Sequence, residues 1–327
     1  MIARAQLSND PAKCLSKALG CLGGLAIGDT MGELARSEHY REKYGIITSI
    51  YEGTQSTDDT EFAILTAVTA LACGGHLTDD VVHAHWMEHV VEGGIHGRSG
   101  AVSLGARENL KRGMRAPLSG QDNCHFYDDG VAMRIAPVGI VWAGDPDKAA
   151  EMAAVDGRIS HHADGVWAGQ AVAASIAVAM VDGTVEEIVQ AGLARIPEAS
   201  WLGRAMARAM AICEQEKTLE SAWEPLHDAL WQPYRAAAPE AVAQAYAIFR
   251  LIGERGFRHG VIAGSNFGRD ADTLGALLGA LCGARYGAEA IPKGWIDAVR
   301  KPRGVCLPFT AQYDIIALAQ QLAALIV

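Results

Sequence analysis

Cysteine pairs, basic runs, aromatic residues and membrane-length apolar stretches are all scarce in this chain of 327 residues. Seven cysteines (Cys14, Cys21, Cys73, Cys124, Cys213, Cys282, Cys306) are dispersed without one CxxC pair. An odd, scattered set in so long a chain argues against a disulfide framework and fits a reducing compartment. The nearest thing to a basic run, Arg107 to Arg115, is broken by Glu108 and Gly113 and reads as a helix end. With a net charge of -10 and a pI near 5.5, nucleic acid is not expected as a partner. The longest mainly apolar run, Ala171 to Val181, is too short to span a bilayer. The first 20 residues hold no unbroken apolar stretch of signal-peptide length. No membrane partner and a cytoplasmic location are therefore expected.

Half of the residues are apolar, and Ala, Gly and Leu dominate the long stretches, which favours close-packed helices. Apolar residues recur at helical spacing over 12–28, 59–73, 79–91, 101–111, 164–181, 185–194, 201–215, 240–253, 271–286 and 312–326. Thr78-Asp79-Asp80 marks one helix start, and Thr184 with Glu187 has the pattern of a capping box. Only 45–51 reads as a short extended piece. The stretch 113–137, with Pro117, Gly120, Gly130 and Pro137, reads as a long irregular loop, a feature that tends to be functional. No linker divides the chain and no repeat recurs at solenoid periods. One all-α domain, a compact multi-helix fold over 1–327, is expected.

Two acidic clusters stand at helix starts: Ser56-Thr57-Asp58-Asp59-Thr60 and Gly268-Arg269-Asp270-Ala271-Asp272-Thr273. Each offers two carboxylates and hydroxyls without His or Cys nearby, a donor set for Mg²⁺, Mn²⁺ or Ca²⁺ rather than zinc. Adjacent side chains diverge on a regular helix, but at a loop-to-helix junction they can turn toward one centre. Two facing junctions would supply four carboxylates and two threonine hydroxyls, enough for two hard cations that could orient a substrate and activate water. Ordinary N-capping is the simpler reading of either cluster alone. A cap needs one side chain, however, and each cluster supplies three or four.

Five motifs in order give the chain its family resemblance. Gly20 to Gly32 (GCLGGLAIGDTMG) looks like an opening helix, Ser56 to Thr60 (STDDT) like a first metal motif, and Asp129 to Pro137 (DGVAMRIAP) like a substrate loop. Ser160-His161 begins a mid-chain histidine motif, and Asn266 to Thr273 (NFGRDADT) looks like a second metal motif, followed by a Gly-rich helix and Ile291 to Trp295 (IPKGW). Over nearly its whole length the chain resembles the ADP-ribosylglycohydrolase family. The resemblance implies an all-α metal-dependent glycosidase with two Mg²⁺ or Mn²⁺ ions held by Thr57, Asp58, Asp59, Asp270, Asp272 and Thr273. It implies attack of a metal-oriented water at C1 of a ribose, through an oxocarbenium-like transition state, with Asp59 or Asp270 assisting as base. The substrate it implies is an ADP-ribosylated protein or a small ribosyl conjugate. By motif position the substrate contacts are Asp29, Arg36, Gly97, Asp129, Gly130, Arg134, His161 and Arg269. Gly97 enters through Gly97-Arg98-Ser99-Gly100, a loop before a helix start of the kind that can face a phosphate.

Two positions depart from the family pattern. Seven residues after Asp29, where many members carry a metal-reaching Glu, this chain has Arg36, flanked by Glu33 and Glu38. A guanidinium is neither a metal ligand nor a base, so that role is lost, moved to a neighbouring Glu, or replaced by contact with an anionic substrate. Asp129 stands where an Asn is usual, poorly placed beside a diphosphate unless Arg134 or Arg269 compensates. Both departures keep the ribose chemistry and bring a second reading into view, an N-ribosidase acting on a nucleoside or small ribosyl metabolite. A third reading, a crystallin-like binding or structural member without catalysis, sits badly with six intact ligands. The histidines His76, His83, His85, His89 and His96 read as a solvated face, because His85 and His89 at i,i+4 lack a third ligand. His162 reads as structural.

Overall fold

The computed structural model describes residues 2–97 and 99–326. Among these residues there are 19 α-helices, short 3₁₀ and π turns, and no strand, so the expected all-α class holds. Six helices position the site: α1 (Pro11–Arg36), α2 (Asp58–Ala72), α3 (Ala101–Lys111), α4 (Gly130–Arg134), α5 (Ala238–Ile252) and α6 (Ala271–Tyr286).

The organising contact is between α1 and α6. Gly20, Gly24, Gly28 and Gly32 fall on one face of α1, since residues four apart lie one above the other. A Cβ on these glycines would run into the backbone of Gly283, Gly279, Gly275 and Ala271 respectively. The descending order of partners makes the pair antiparallel, touching backbone to backbone. Both helices are buried nearly all round, inside a core that extends from Leu7 to Ile326. Gly28→Ala is expected to lower the thermal midpoint, since overpacking a closed contact costs about 1–3 kcal/mol. Gly23→Ala, whose Cβ would find its nearest neighbour at 3.5 Å, is the control expected to melt near wild type.

Most expected helices appear within a few residues, and 101–111 and 271–286 keep their bounds. The Thr184 capping box is present, with Glu187 N–H donating to Thr184 Oγ1 (3.2 Å) and Thr184 N–H to Glu187 Oε2 (2.8 Å). Four expectations change. The opening helix runs past Asp29 to Arg36, because the Asp29 carboxylate finds partners outside the helix. The pattern over 79–91 splits into an α-helix (Asp79–Trp86) and a π turn (Met87–Glu92). The extended piece at 45–51 is no strand: the Asn266 side chain accepts from Ile47 N–H and donates to Ile47 O (both 2.8 Å), satisfying the backbone that a strand partner would have met. The loop at 113–137 contains Leu118–Gln121 and α4. Among the described residues, no helix is long and apolar enough to cross a membrane.

Candidate active site

Because α1 and α6 are antiparallel, the end of α1 lies beside the start of α6. Arg36, the last residue of α1, thereby reaches Asp270 and Asp272. The start of α2 is drawn to the same place by Asp29. Its fully buried carboxylate accepts from Thr57 N–H (2.7 Å), Thr57 Oγ1 (2.6 Å), Thr60 N–H (3.2 Å) and Thr60 Oγ1 (2.5 Å). Asp29 is thus a brace behind the first cluster, outside the residues lining the cavity. Neither acidic cluster caps its helix: Thr57 and Asp270, the N-cap residues, make no side-chain capping bond. The Thr57 hydroxyl gives its proton to Asp29 and keeps a lone pair. Arg269, with a left-handed φ of 58°, makes the sharp turn that swings Asp270 inward, local strain of the kind concentrated at functional sites.

These elements surround a cavity of about 480 Å³. Asp58, Asp59, Asp270, Asp272 and Thr273 line it together with Arg36. Asp128, Asp129, Tyr234, Arg235 and the start of α3 from Gly100 to Ser103 also line it. The sequence-predicted acidic groups do meet in one pocket.

Loss of hydration dominates its electrostatics. It raises Asp58 and Asp59 well above the usual carboxylate range, and the neighbouring acids Asp272 and Asp29 push the same way. Asp129 is raised likewise, first by burial and then by Asp270. Burial also pushes Asp270 up to about 7, with Asp272 adding to it and Arg36 and Arg235 opposing. Asp29 rises to about 7 through burial, against the four hydrogen bonds it accepts. For Arg36, burial opposes the charge, but the carboxylates of Asp272, Asp270 and Glu33 outweigh it and raise the pKa. Two oxygens, Asp59 Oδ1 and Asp129 Oδ2, are buried and accept no hydrogen bond from any described residue. A buried carboxylate left so is costly without a cation.

A stability test follows from these signs. A carboxyl whose folded pKa exceeds its unfolded value of about 4 contributes stability at low pH and loses it as pH rises through the folded value. His161, held below its ordinary value by burial, works the other way, but it is one group against five. Without divalent ions, the thermal midpoint is expected to rise on acidification from about pH 7.5 to pH 5.5, a window set by the carboxyls near 7. Added Mg²⁺ should flatten that slope. A metal-free midpoint that falls over this interval would contradict the crowding described above.

The remaining sequence-predicted contacts distribute unevenly. Asp129 and Arg269 line the cavity. Arg269 is committed, however: its guanidinium pairs with Glu240 on α5 and Gln232 O, and lies 5.4 Å from the Trp231 ring centroid. Arg134 lies behind the cavity, buried at 1% exposure. It donates to Asp156 Oδ2 (2.8 Å), Asp156 O, Ser160 Oγ and Gly130 O (each 3.1 Å), with Trp86 under its guanidinium. His161 is also buried behind the loop, with Nε2 3.5 Å from Asp128 Oδ1 and Nδ1 2.8 Å from Ser160 Oγ. Gly130 permits that packing, since a Cβ there would press on Asp128 and the His161 ring. Gly97 is exposed and outside the lining, although Ser99 and Gly100 line the cavity, and Arg98 lies outside the described residues.

Sequence reasoning missed Asp128, Tyr234 and Arg235. The Tyr234 hydroxyl donates to Asp128 Oδ2, and Asp128 Oδ1 accepts from Gly130 N–H (2.8 Å), so this pair shapes the turn into α4. Arg235 Nε lies 3.2 Å from Asp270 Oδ1. Trp231, Pro233 and Tyr234 mark the loop that carries Tyr234 and Arg235 in the sequence, and that signal says nothing of where it folds. As for the histidines, the His85 and His89 rings are 5.7 Å apart. Among the described residues, no three His, Cys, Asp or Glu are grouped as a ready-made metal ligand set, there or in the acidic cavity.

Comparison with known proteins follows the same lines. The chain is 24% identical to the ADP-ribosylarginine hydrolase Tri1 of Pseudomonas putida, over 88% of this chain and 76% of that protein. It is 26% identical to the ADP-ribosyl-[dinitrogen reductase] glycohydrolase of Rhodospirillum rubrum, over 86% of this chain and 89% of the other. A solved structure titled "ADP-ribosylglycohydrolase-related protein complex" shares the fold, with a TM-score of 0.66 at 24% identity, covering 97% of this chain and 100% of that one. Residues 10–327 match the family described as ADP-ribosylglycohydrolase. With nearly its whole length in that match, the chain belongs to the ADP-ribosylglycohydrolase family and is a glycohydrolase enzyme.

Proposed function

We propose that the chain is a divalent-metal-dependent hydrolase that releases ADP-ribose from an acceptor by cleaving the bond at C1 of the distal ribose. The observation that supports this reading is the convergence of two uncapped acidic helix starts on one cavity, with Asp59 Oδ1 and Asp129 Oδ2 buried and unbonded there. The residues that would hold Mg²⁺ or Mn²⁺ are Thr57, Asp58 and Asp59, with Asp270, Asp272 and Thr273 opposite. A bound ion of this kind supplies orientation of ribose hydroxyls and a water of lowered pKa. Of the two candidate bases, Asp59 would be the better placed to accept a proton from an attacking water, because its Oδ1 accepts no hydrogen bond from any described residue while Asp270 is held by Arg235 at 3.2 Å and Arg36 at 3.9 Å. The carboxylates around the ribose favour the oxocarbenium-like charge that develops as the bond breaks. The start of α3 supplies backbone toward the far part of the cavity. The seven unpaired cysteines support a place in the cytoplasm.

Purified enzyme with Mn²⁺ or Mg²⁺ is expected to release free ADP-ribose from ADP-ribosylated arginine, serine or a small conjugate, and chelation should abolish release. No release from any of them would sink the reading. One observation favours a second. Neither Arg134 nor Arg269, the two cations the sequence offered to compensate Asp129 beside a diphosphate, is free to do so, since each is bound to another carboxylate. An N-ribosidase acting on a nucleoside or small riboside needs no such cation. Free ribose from a nucleoside panel, with no turnover of diphosphate-bearing substrates, would decide for it.

A further inference from the structure

The family resemblance implies two metal ions, and the cavity of this chain does not fit two. In paired-metal sites the ions stand about 4 Å apart, bridged by shared carboxylates. Here the second cluster already holds a cation. The Arg36 guanidinium makes an ion pair with Asp272, lies 3.9 Å from Asp270 Oδ1 and 3.8 Å from Glu33 Oε2, and keeps 26% of its side chain exposed. Arg235 Nε also pairs with Asp270 Oδ1, at 3.2 Å. Among the described residues no such cation pairs with the first cluster: Asp59 Oδ1, on a residue 1% exposed, accepts no hydrogen bond from them and lines the same cavity.

We infer that Arg36 takes the place of the second metal ion, so that the centre binds a single divalent cation on the side of Asp58 and Asp59. This rests on the metal-dependent reading above. A guanidinium stays charged at any working pH, cannot exchange into solvent and cannot donate a ligand-bound water. The substitution therefore keeps the positive charge between the clusters and removes one position for a water or a ribose hydroxyl. The placement also suits α1 itself, since a cation in its last turn complements the helix dipole. Arg36 is thus a positioning residue of the centre, and Asp58 and Asp59 would hold the one ion that supplies the metal chemistry.

Metal binding, independent of turnover, tests this. Metal-free protein is equilibrated with MnCl₂ alone, bound Mn²⁺ is counted by atomic absorption after dialysis, and the electron paramagnetic resonance spectrum is recorded. Wild type is expected to hold one Mn²⁺ per chain with the six-line spectrum of an isolated ion. Arg36→Glu is expected to hold two, with the broadened multiline signal of a spin-coupled pair, while Arg36→Lys stays at one. Should Arg36→Glu fail to fold, Arg36→Gln serves, with the second ion bound at higher MnCl₂. Two coupled ions in wild type would overturn the inference and leave the metal-dependent reading standing. No bound ion would overturn both. A second ion that never appears in Arg36→Glu or Arg36→Gln would show that the guanidinium is not what keeps it out.

Discussion

Asp59→Asn is expected to lower kcat/KM for ribosyl release about 10³-fold, a loss of about 4 kcal/mol of transition-state stabilisation. The change keeps the shape of the side chain and removes the metal-motif carboxylate that faces the cavity with an oxygen that accepts no hydrogen bond from any described residue. Stability should move the opposite way. Wild-type Asp59 is buried among Asp29, Asp272 and Asp58, which together with lost hydration push its pKa up. Asp59→Asn relieves that crowding, so the metal-free variant is expected to melt above metal-free wild type, while Mg²⁺ stabilises wild type more than the variant. Steady-state kinetics with ADP-ribosyl substrate and thermal scans with and without Mg²⁺ read both effects. A variant within tenfold of wild-type activity would remove Asp59 from the chemistry.

Arg134→Met is expected to be the most damaging single change away from the cavity. It leaves the Asp156 carboxylate, 2% exposed, without the guanidinium that donates to both its side chain and its backbone. Breaking a buried ion pair from one side costs about 3–5 kcal/mol, which for a chain of this size lowers the midpoint by ~6 °C. Motif position marks Arg134 as a substrate contact, and the two roles separate cleanly. If Arg134 supports the loop, the midpoint falls while KM of the folded enzyme stays near wild type. A raised KM with an unchanged midpoint would restore it to the substrate.

Helix positions were legible where the apolar stripe is continuous, as over 101–111 and 271–286. They were illegible where local chemistry stands in for periodicity. Pro146–Gly157 is announced only at its start, by Pro146 and by Asp145, whose side chain accepts from Lys148 N–H, and its Ala-rich turns carry little pattern. Leu219–Leu230 holds Pro225 inside, which reads as a break. Of the site, the two acidic clusters could be read because each concentrates more oxygen donors than capping uses. Asp29, Arg134 and His161 were found by motif but misplaced in depth, since a motif fixes order along the chain and not which side of a loop faces the cavity. Tyr234 and Arg235 carry no motif; they arrive because Ala237, after the turn, bridges back to Asp128.

The antiparallel glycine seam has a consequence for how such an enzyme can diversify. Where two helices meet through their main chains there is no layer of side chains to thin or thicken, so the position of Arg36 at the end of α1 against Asp270 and Asp272 at the start of α6 behaves as a fixed gauge. Ordinary drift in the core cannot stretch it. New substrates would be accommodated by the cavity-lining segments 99–103, 128–129 and 233–236, while the spacing of the two acidic clusters is held.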